Sequence, residues 1–297
     1  MGARVAIAVV LAVLALSPPG SALELGVQDD RTLGQDPAAL FAAGHDVGAR
    51  WVRIIIVPGD PSAASKIRAA HAAGFAVILT IGGTGTTVRQ PSARALLATI
   101  RHLPNVERYT VINEPDLAGI SACRYRAVWM RVRRVLGRRL LFGDYSPHAP
   151  LSFTQHVRDC GRIPTRLDFA LHPYQQTDPL APPPGGPWSE GGIGALAYAK
   201  RWLRTNVGVR VTFWLDEFAY VLDAWHVQGV TDEQAAAMWP GAILAARRAG
   251  AAMLGLYMAE GPNWDSRPRG LAWSVLTGHA PAPRVPLPVD DALPDTI

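Results

Sequence analysis

Short apolar runs alternate along the chain with longer segments of helical periodicity. The runs are three to seven residues long and mostly apolar throughout, which is typical of parallel strands covered on both faces. The pattern predicts eight strands, numbered one to eight in chain order. They are Leu23–Val27, Trp51–Val57, Ala76–Ile81, Tyr109–Ile112, Leu140–Phe142, Phe169–Leu171, Val211–Leu215 and Gly255–Met258.

The segments between the predicted strands carry helix-start signals. Asp36 followed by Pro37 supplies an N-cap and a first helical residue, and Thr231 with Gln234 forms a capping box. The helix that follows Thr231 contains Pro240, which we expect to kink or split it.

Eight strand–helix units between residues 23 and 279 match the size of a single α/β domain, the (β/α)8 TIM barrel. A doubly wound open sheet is the main alternative. The first predicted strand is followed by neither a dinucleotide-binding glycine motif nor a phosphate-binding loop, which favours the barrel. Residues 280–297 contain five prolines and predict an irregular tail.

The N-terminal segment has the features of a signal peptide over residues 1–22. Arg4 provides a positive charge, residues 5–16 are apolar, and the small residues Gly20 and Ala22 suit a signal peptidase. The 12-residue apolar run is shorter than the ~20 residues that span a bilayer. We therefore expect cleavage and secretion, on the extracellular or cell-envelope side, without a stable membrane anchor.

The composition excludes two classes of protein. A hydrophobic share of 49% is too high for a disordered chain, and two cysteines are too few for a disulfide-stapled scaffold. In an oxidising compartment Cys123 and Cys160 are able to form one stabilising bridge, but the sequence leaves open whether they lie close enough.

The net charge of +5 comes from arginine, since Lys66 and Lys200 are the only lysines. The densest arginine cluster lies mostly opposite the apolar stripe of a predicted helix, which is typical of a solvated face. No nucleic-acid motif accompanies it, so no nucleic-acid partner is predicted. The arginines are Arg131, Arg133, Arg134, Arg138 and Arg139, and the stripe is Val128, Val132, Val135 and Leu136.

Two glutamates end predicted strands on opposite sides of the barrel. Glu114 follows strand four and Glu217 follows strand seven, at the face where catalytic groups of such barrels lie. Glycoside hydrolysis needs a pair of carboxyl groups, one that protonates the leaving oxygen and one that attacks or stabilises the anomeric carbon. A separation of about 5 Å would give direct attack with retained configuration.

The stretch Asn113-Glu114-Pro115, together with Glu217-Phe218, resembles the clan-A retaining glycoside hydrolases. That clan includes cellulase-like endoglucanases, mannanases and β-xylosidase-like barrels. The resemblance covers residues 23–279, and the motif His172-Pro173-Tyr174 is most similar to the β-xylosidase-like and cellulase-like members.

The resemblance implies that Glu114 is the general acid/base and Glu217 the nucleophile. It implies that Asn113 bonds the sugar 2-hydroxyl and that Arg53 keeps the nucleophile ionised, because a positive neighbour lowers the pKa of a carboxyl group.

Three further residues have a role implied by the same resemblance. Tyr174 holds the nucleophile by a hydrogen bond, His172 lies beside the sugar, and Trp264 forms the floor of the sugar site. The implied partner is a carbohydrate, and the mechanism requires no metal or organic cofactor. Nothing in the sequence indicates an oligomer, so a monomer is expected.

Other polar residues have less definite roles. Strand alternation predicts that Asp216, next to Glu217, points toward the helices in a structural role. Glu260 is a second acidic candidate at the mouth, and Trp188 either stacks on a sugar or packs as a hydrophobic plug. For the residues that end strands one and five, the sequence does not decide between a contact with substrate and a hydrogen bond within a loop. These residues are Gln28, Asp29, Asp30, Asp144 and Tyr145.

Two other functions are weighed against glycoside hydrolysis. A metal-dependent barrel hydrolase is disfavoured because His45, His71 and His102 fall in helix or loop segments, not at strand ends. A non-catalytic sugar-binding or inactive barrel is disfavoured because both glutamates are present. The sequence does not separate hydrolysis from transglycosylation, and strand three ends in Gly82-Gly83-Thr84 without the histidine or aromatic residue of many clan members. The sugar, its linkage and endo or exo action stay undetermined.

Overall fold

The computed structural model describes residues 22–82, 90–175, 177–181, 190–220, 230–257 and 270–288. Eight parallel strands confirm the predicted barrel. Several strands extend one to three residues beyond a predicted bound, in β1, β4, β6 and β7 mainly because the added residues include polar ones, whereas β8 begins two apolar residues earlier and β5 begins two residues later than predicted. The strands are β1 (Glu24–Gln28), β2 (Trp51–Ile56), β3 (Ala76–Ile81), β4 (Arg108–Val111), β5 (Phe142–Tyr145), β6 (Arg166–Leu171), β7 (Arg210–Phe218) and β8 (Met253–Tyr257).

The strands pair in the order β4-β3-β2-β1-β8-β7-β6-β5. The two ends of this sheet meet where Tyr109 bridges to Leu140 in parallel, and the Leu141 amide donates to the Tyr109 carbonyl at 2.8 Å. The sheet is therefore nearly closed, and all eight strands point their carboxyl ends toward one face.

Helices separate the strands and cover the outside of the barrel. The capping box of Thr231 and Gln234 is present at the start of α8. That helix continues through Pro240, so the expected split does not occur. The helices are α1 (Asp30–Gln35), α2 (Pro37–Asp46), α3 (Ala63–Ala72), α4 (Ala93–His102), α5 (Ala122–Leu136), α6 (Pro150–Asp159), α7 (Leu196–Trp202), α8 (Asp232–Arg248) and α9 (Leu271–Leu276), and a π-helical turn (Leu203–Val207) follows α7.

The helix α5 carries the predicted arginine-rich face. Val128, Val132 and Leu136 are buried, whereas Val135 is 59% exposed and does not belong to the apolar stripe. Arg133 is half-buried because its guanidinium lies 4.9 Å over the ring of Trp129.

A disulfide joins the first turn of α5 to the residue that follows α6. Cys123 and Cys160 pair with their Cα atoms 5.2 Å apart. The bridge that the sequence left open is therefore formed. Within the described part of the chain, no helix combines the length and apolar character needed to cross a membrane.

The barrel interior changes from apolar to polar along the strands. On β2, β3, β6 and β7, a buried polar residue follows the inward apolar one by two positions, which is the strand period. The fully buried charged side chains of the interior therefore lie near the carboxyl ends of the strands. The apolar layer is Trp51, Ile78, Leu141, Ala170, Trp214 and Met253, and the buried polar residues above it are Gln28, Arg53, Thr80, Thr110, Asp144, His172 and Asp216.

Candidate active site

Glu114 reaches the barrel mouth from an unusual backbone conformation. Its φ is +46°, and Ile112, two residues earlier, has φ +66°. Both lie in the left-handed region that non-glycine residues seldom adopt. The Glu114 amide donates to the Asp144 carbonyl at 2.8 Å, which ties the turn after β4 to β5. Strained backbone of this kind often accompanies a functional site.

Glu217 and Asp216 both face the interior, so the expectation that Asp216 points toward the helices is wrong. Alternation from the inward Trp214 places Asp216 inward as well. The pairing of β7 with β8 then shifts register between Leu215 and Phe218, and this irregularity turns Glu217 inward too. Phe218 packs outward in the core beneath the helices.

Arg53 lies at the centre of the polar layer and is 1% exposed. Its guanidinium contacts side chains from β1, β3, β5, β7 and the turn after β4, so it organises the whole mouth. The contacts are with Gln28 at 2.6 Å, Thr80 at 3.1 Å, Asn113 at 2.5 Å, Asp144 at 3.1 Å, Asp216 at 3.2 Å and Glu217 at 2.5 Å.

The surroundings of Glu217 keep it ionised. Burial alone would raise the pKa of its carboxyl group, but the positive charges of His172 and Arg53 and a hydrogen bond from Tyr174 hold that pKa below its ordinary value. The Tyr174 hydroxyl donates to Glu217 Oε1 at 2.5 Å, and Arg53 donates to Oε2. Glu217 is the better-held carboxylate of the two, and its side chain is 13% exposed.

His172 lies between the two glutamates and is fully buried. Its Nδ1 is 3.2 Å from Glu114 Oε1, and its Nε2 is 3.3 Å from Asp144 Oδ1 and 3.9 Å from Glu217 Oε2. Burial alone would lower the pKa of the ring, but the charge of Glu217 and the hydrogen bonds to Asp144 and Glu114 raise it well above its ordinary value. The charged ring therefore donates from Nδ1 to a carboxyl oxygen of Glu114 and from Nε2 to the carboxylate of Asp144.

Asp144 and Asp216 form a buried pair below His172. Burial raises the pKa of both, and the neighbouring charge of Asp144 raises that of Asp216 further. For Asp144 the charges of Arg53 and His172 prevail and hold its pKa well below the ordinary value.

The two aspartates therefore differ in protonation. Among the described residues, no N–H donor meets Asp216 in good hydrogen-bond geometry, although Arg53 Nε lies 3.2 Å away. A proton on Asp216 is donated as a hydrogen bond to the carboxylate of Asp144, so that each of the two carboxyl groups has a partner.

Asp144, His172 and Asp216 place one ligand atom each within 4.8 Å of one another, which is close enough for a metal ion. The guanidinium of Arg53, however, lies 3.1 Å from Asp144 and 3.2 Å from Asp216. A second cation at this point would meet that positive charge in a buried site, so the cluster does not fit a metal.

Three residues near the mouth escaped the sequence-based prediction. Thr110 donates to Asp144 Oδ2 at 3.0 Å and contacts Thr80 at 2.7 Å. Asp116 accepts hydrogen bonds from the amide and hydroxyl of Ser146, at 3.1 and 2.6 Å. Burial raises the pKa of Asp116 to about 6, against the effect of these bonds and with a contribution from Glu114. The sequence does contain a signal for Thr80 and Thr110, because strand alternation along β3 and β4 points both side chains into the barrel.

Six of the predicted site residues come together in this structure: Arg53, Asn113, Glu114, His172, Tyr174 and Glu217. Trp264 lies outside the described residues, as do Glu260 and Trp188. Of the residues with open roles, Gln28 bonds Arg53, Asp29 bonds Thr32 at the start of α1, and Tyr145 packs in the outer core.

No protein-family model matches the chain, and a comparison with curated protein sequences finds no match. A family 39 glycoside hydrolase from the gut symbiont Bacteroides cellulosilyticus WH2 matches in structure with a TM-score of 0.63 at 16% identity, over 86% of this chain and 62% of that chain. This chain therefore spans less than two thirds of that relative.

Two further solved structures share the barrel. A modular endo-β-1,4-mannanase from Cellulomonas fimi has a TM-score of 0.55 at 13% identity, over 92% of this chain and 73% of that chain. An active-site mutant of Rhizomucor miehei β-1,3-glucanosyltransferase, in complex with laminaritriose, has a TM-score of 0.53 at 11% identity. The match covers 82% of this chain and 90% of that chain. At these identities the likeness concerns the fold alone. The chain has the (β/α)8 barrel fold that these carbohydrate-active enzymes share.

Proposed function

We propose that this protein is a secreted retaining β-glycoside hydrolase, with Glu114 as acid/base and Glu217 as nucleophile. The observation that carries the proposal is the placement of the two glutamates on either side of His172, 3.2 and 3.9 Å from its ring nitrogens. Glycoside hydrolysis by double displacement needs two carboxyl groups that face one sugar and differ in protonation.

The surroundings of the two glutamates support this division of roles. Glu217 is ionised and fixed by Arg53 and Tyr174, as a nucleophile must be. Glu114 lies at the more open position, with 23% of its side chain exposed, where it meets the leaving group and later water. Its hydrogen bond with His172 fixes its orientation.

In the first step a Glu217 oxygen bonds the anomeric carbon while the glycosidic C–O bond breaks. Glu114 gives its proton to the leaving oxygen. In the second step Glu114 takes a proton from water, the water oxygen bonds the anomeric carbon, and Glu217 leaves as a carboxylate.

Asn113 contributes a donor for the sugar. Its Oδ1 accepts from Arg53 at 2.5 Å, so its amide NH2 is the group left for the 2-hydroxyl. Trp264 remains our candidate for the floor of the sugar site.

The disulfide between Cys123 and Cys160 supports export, since such bonds persist in oxidising compartments.

The test is labelling with 2-deoxy-2-fluoro β-glycosides, which trap the covalent intermediate. The panel includes glucosides and mannosides, because the structural neighbours include a mannanase and a β-1,3-glucanosyltransferase. Intact mass and peptide mapping are expected to show one adduct on Glu217, whether water or a sugar is the natural acceptor.

The control is Glu217→Gln, which is expected to take up no label. An adduct on Glu260 would transfer the nucleophile role to that residue. A folded protein that no sugar labels would favour the binding or inactive barrel.

A further inference from the structure

Basic side chains gather around a cavity of about 580 Å3 at the start of β7, the end of the barrel opposite the glutamates. We call it the basic cavity. Five of its lining residues are cationic and the rest are alanine and valine. The five are Lys200 and Arg201 of α7, Arg204 of the π-helical turn, Arg210 at the start of β7 and Arg248 at the end of α8.

The positive charges of the basic cavity are not neutralised by the described chain. Lys200 Nζ donates to the Ala249 carbonyl at 2.9 Å. None of the four guanidinium groups donates a hydrogen bond to, or pairs with, a carboxylate of the described residues. Arg166 on β6 adds a further charge, since it lies directly beside Arg210 in the strand register.

An arrangement of like charges costs free energy unless water or an anion compensates it. Arginine is suited to the second case, because its planar fork binds the oxygens of phosphate and carboxylate groups in pairs. The volume lies within the ~300–1,000 Å3 that small-molecule sites occupy. From these observations we infer that the basic cavity binds a small oligoanion carrying several phosphate or carboxylate groups.

The inference is independent of the proposed glycosidase function, because it concerns the opposite end of the barrel. Its test is titration calorimetry at low salt with two probes, tripolyphosphate and trigalacturonate. Saturable binding of one or both is expected, and the preferred probe identifies the anion class. Absence of binding by both at millimolar concentration would overturn the inference.

Two charge-reversal variants distinguish binding at a specific site from attraction to the net charge of the protein. R204E/R210E/R248E is expected to weaken binding at least about tenfold, since it removes three charge-assisted contacts. The matched control R131E/R134E/R138E makes the same charge change on the exposed face of α5 and its following turn, and is expected to bind within about twofold of wild type. Equal weakening by both would show attraction to net charge only and would refute the site.

The neutral variant R204Q/R210Q/R248Q guards against misfolding from charge reversal. It is expected to unfold at the wild-type temperature in the absence of ligand and to bind the probes weakly. Wild-type affinity in this folded variant would also overturn the inference.

Discussion

At the residue scale, Glu114 and Glu217 are the same side chain in different surroundings. Two cations and a tyrosine hydroxyl stabilise the ionised form of Glu217. Glu114 has the His172 ring on one side and the open mouth on the other. Environment, not residue type, therefore separates the acid/base from the nucleophile in our proposal.

Glu114→Ala is expected to slow aryl glycosides with poor leaving groups by at least about a hundredfold, because those leaving groups need a proton in the transition state. Substrates with activated leaving groups need none in the first step and are expected to lose far less. The measurement is kcat/KM across a series of leaving-group pKa values. Equal losses over the whole series would contradict the acid/base assignment.

Asp144 and Asp216 provide a second comparison of identical side chains. Asp144→Asn removes the charge that faces Arg53 and His172, and is expected to lower the free energy of unfolding by about 3 kcal/mol. Asn tolerates the left-handed φ of +73° at this position, so the backbone is preserved. Asp216→Asn replaces a protonated acid by a neutral amide and is expected to cost less than about 1 kcal/mol.

Urea unfolding of both variants measures this difference. A larger loss for Asp216→Asn than for Asp144→Asn would place the buried negative charge on Asp216 instead.

At the element scale, the register shift in β7 is what brings two consecutive acidic residues inward. Gly255 of β8 faces this shift, and a Cβ placed there would lie 2.5 Å from the Asp216 carbonyl oxygen. The neighbouring strand therefore accommodates the displaced backbone by omitting a side chain.

Gly255→Ala is expected to lower the free energy of unfolding by about 1–3 kcal/mol through overpacking. It is also expected to reduce kcat by displacing Glu217, since small misplacements of a reacting group cost much rate. The matched control is Gly34→Ala in α1, where a Cβ meets nothing within 4 Å. Wild-type stability and activity in Gly255→Ala would mean that β7 does not need this space.

At the scale of the whole molecule, the polar layer makes the free energy of unfolding depend on pH in both the acid and the alkaline range. The pKa of His172 is raised, so its contribution to stability is complete below its ordinary value of 6.5 and is lost as pH rises through the folded pKa. The pKa of Glu217 is lowered, so its contribution is complete above 4.5 and is lost as pH falls through the folded pKa.

The free energy of unfolding is therefore expected to fall below pH 4.5 through Glu217 and above pH 6.5 through His172. Asp216, whose pKa is raised, adds a decline with rising pH that begins at its ordinary value of 3.8. Denaturant unfolding from pH 3 to pH 9 measures the profile. His172→Gln is expected to reduce the decline in the free energy of unfolding at alkaline pH. Part of that decline is expected to remain, because Asp216 also has a raised pKa. An unchanged alkaline slope in this variant would show that His172 does not titrate in that range.

The linear sequence determined the elements and the candidate glutamates. Apolar runs and capping residues predict strands and helices, because burial and local hydrogen bonds act over a few neighbouring residues. The position of Glu114 and Glu217 at strand ends followed from the barrel prediction, and the resemblance added Arg53, His172 and Tyr174.

Tertiary structure decided what these residues face. Alternation counted back from an inward Glu217 misplaced Asp216, because the shift that turns Glu217 inward depends on the pairing of β7 with β8 and on Gly255. The six contacts of Arg53 join residues that lie far apart in the chain, and the pairing of Cys123 with Cys160 depends on the packing of α5 on α6. Protonation within the polar layer, and the gathering of arginines at the basic cavity, likewise depend on distances and burial that exist only once the barrel has formed.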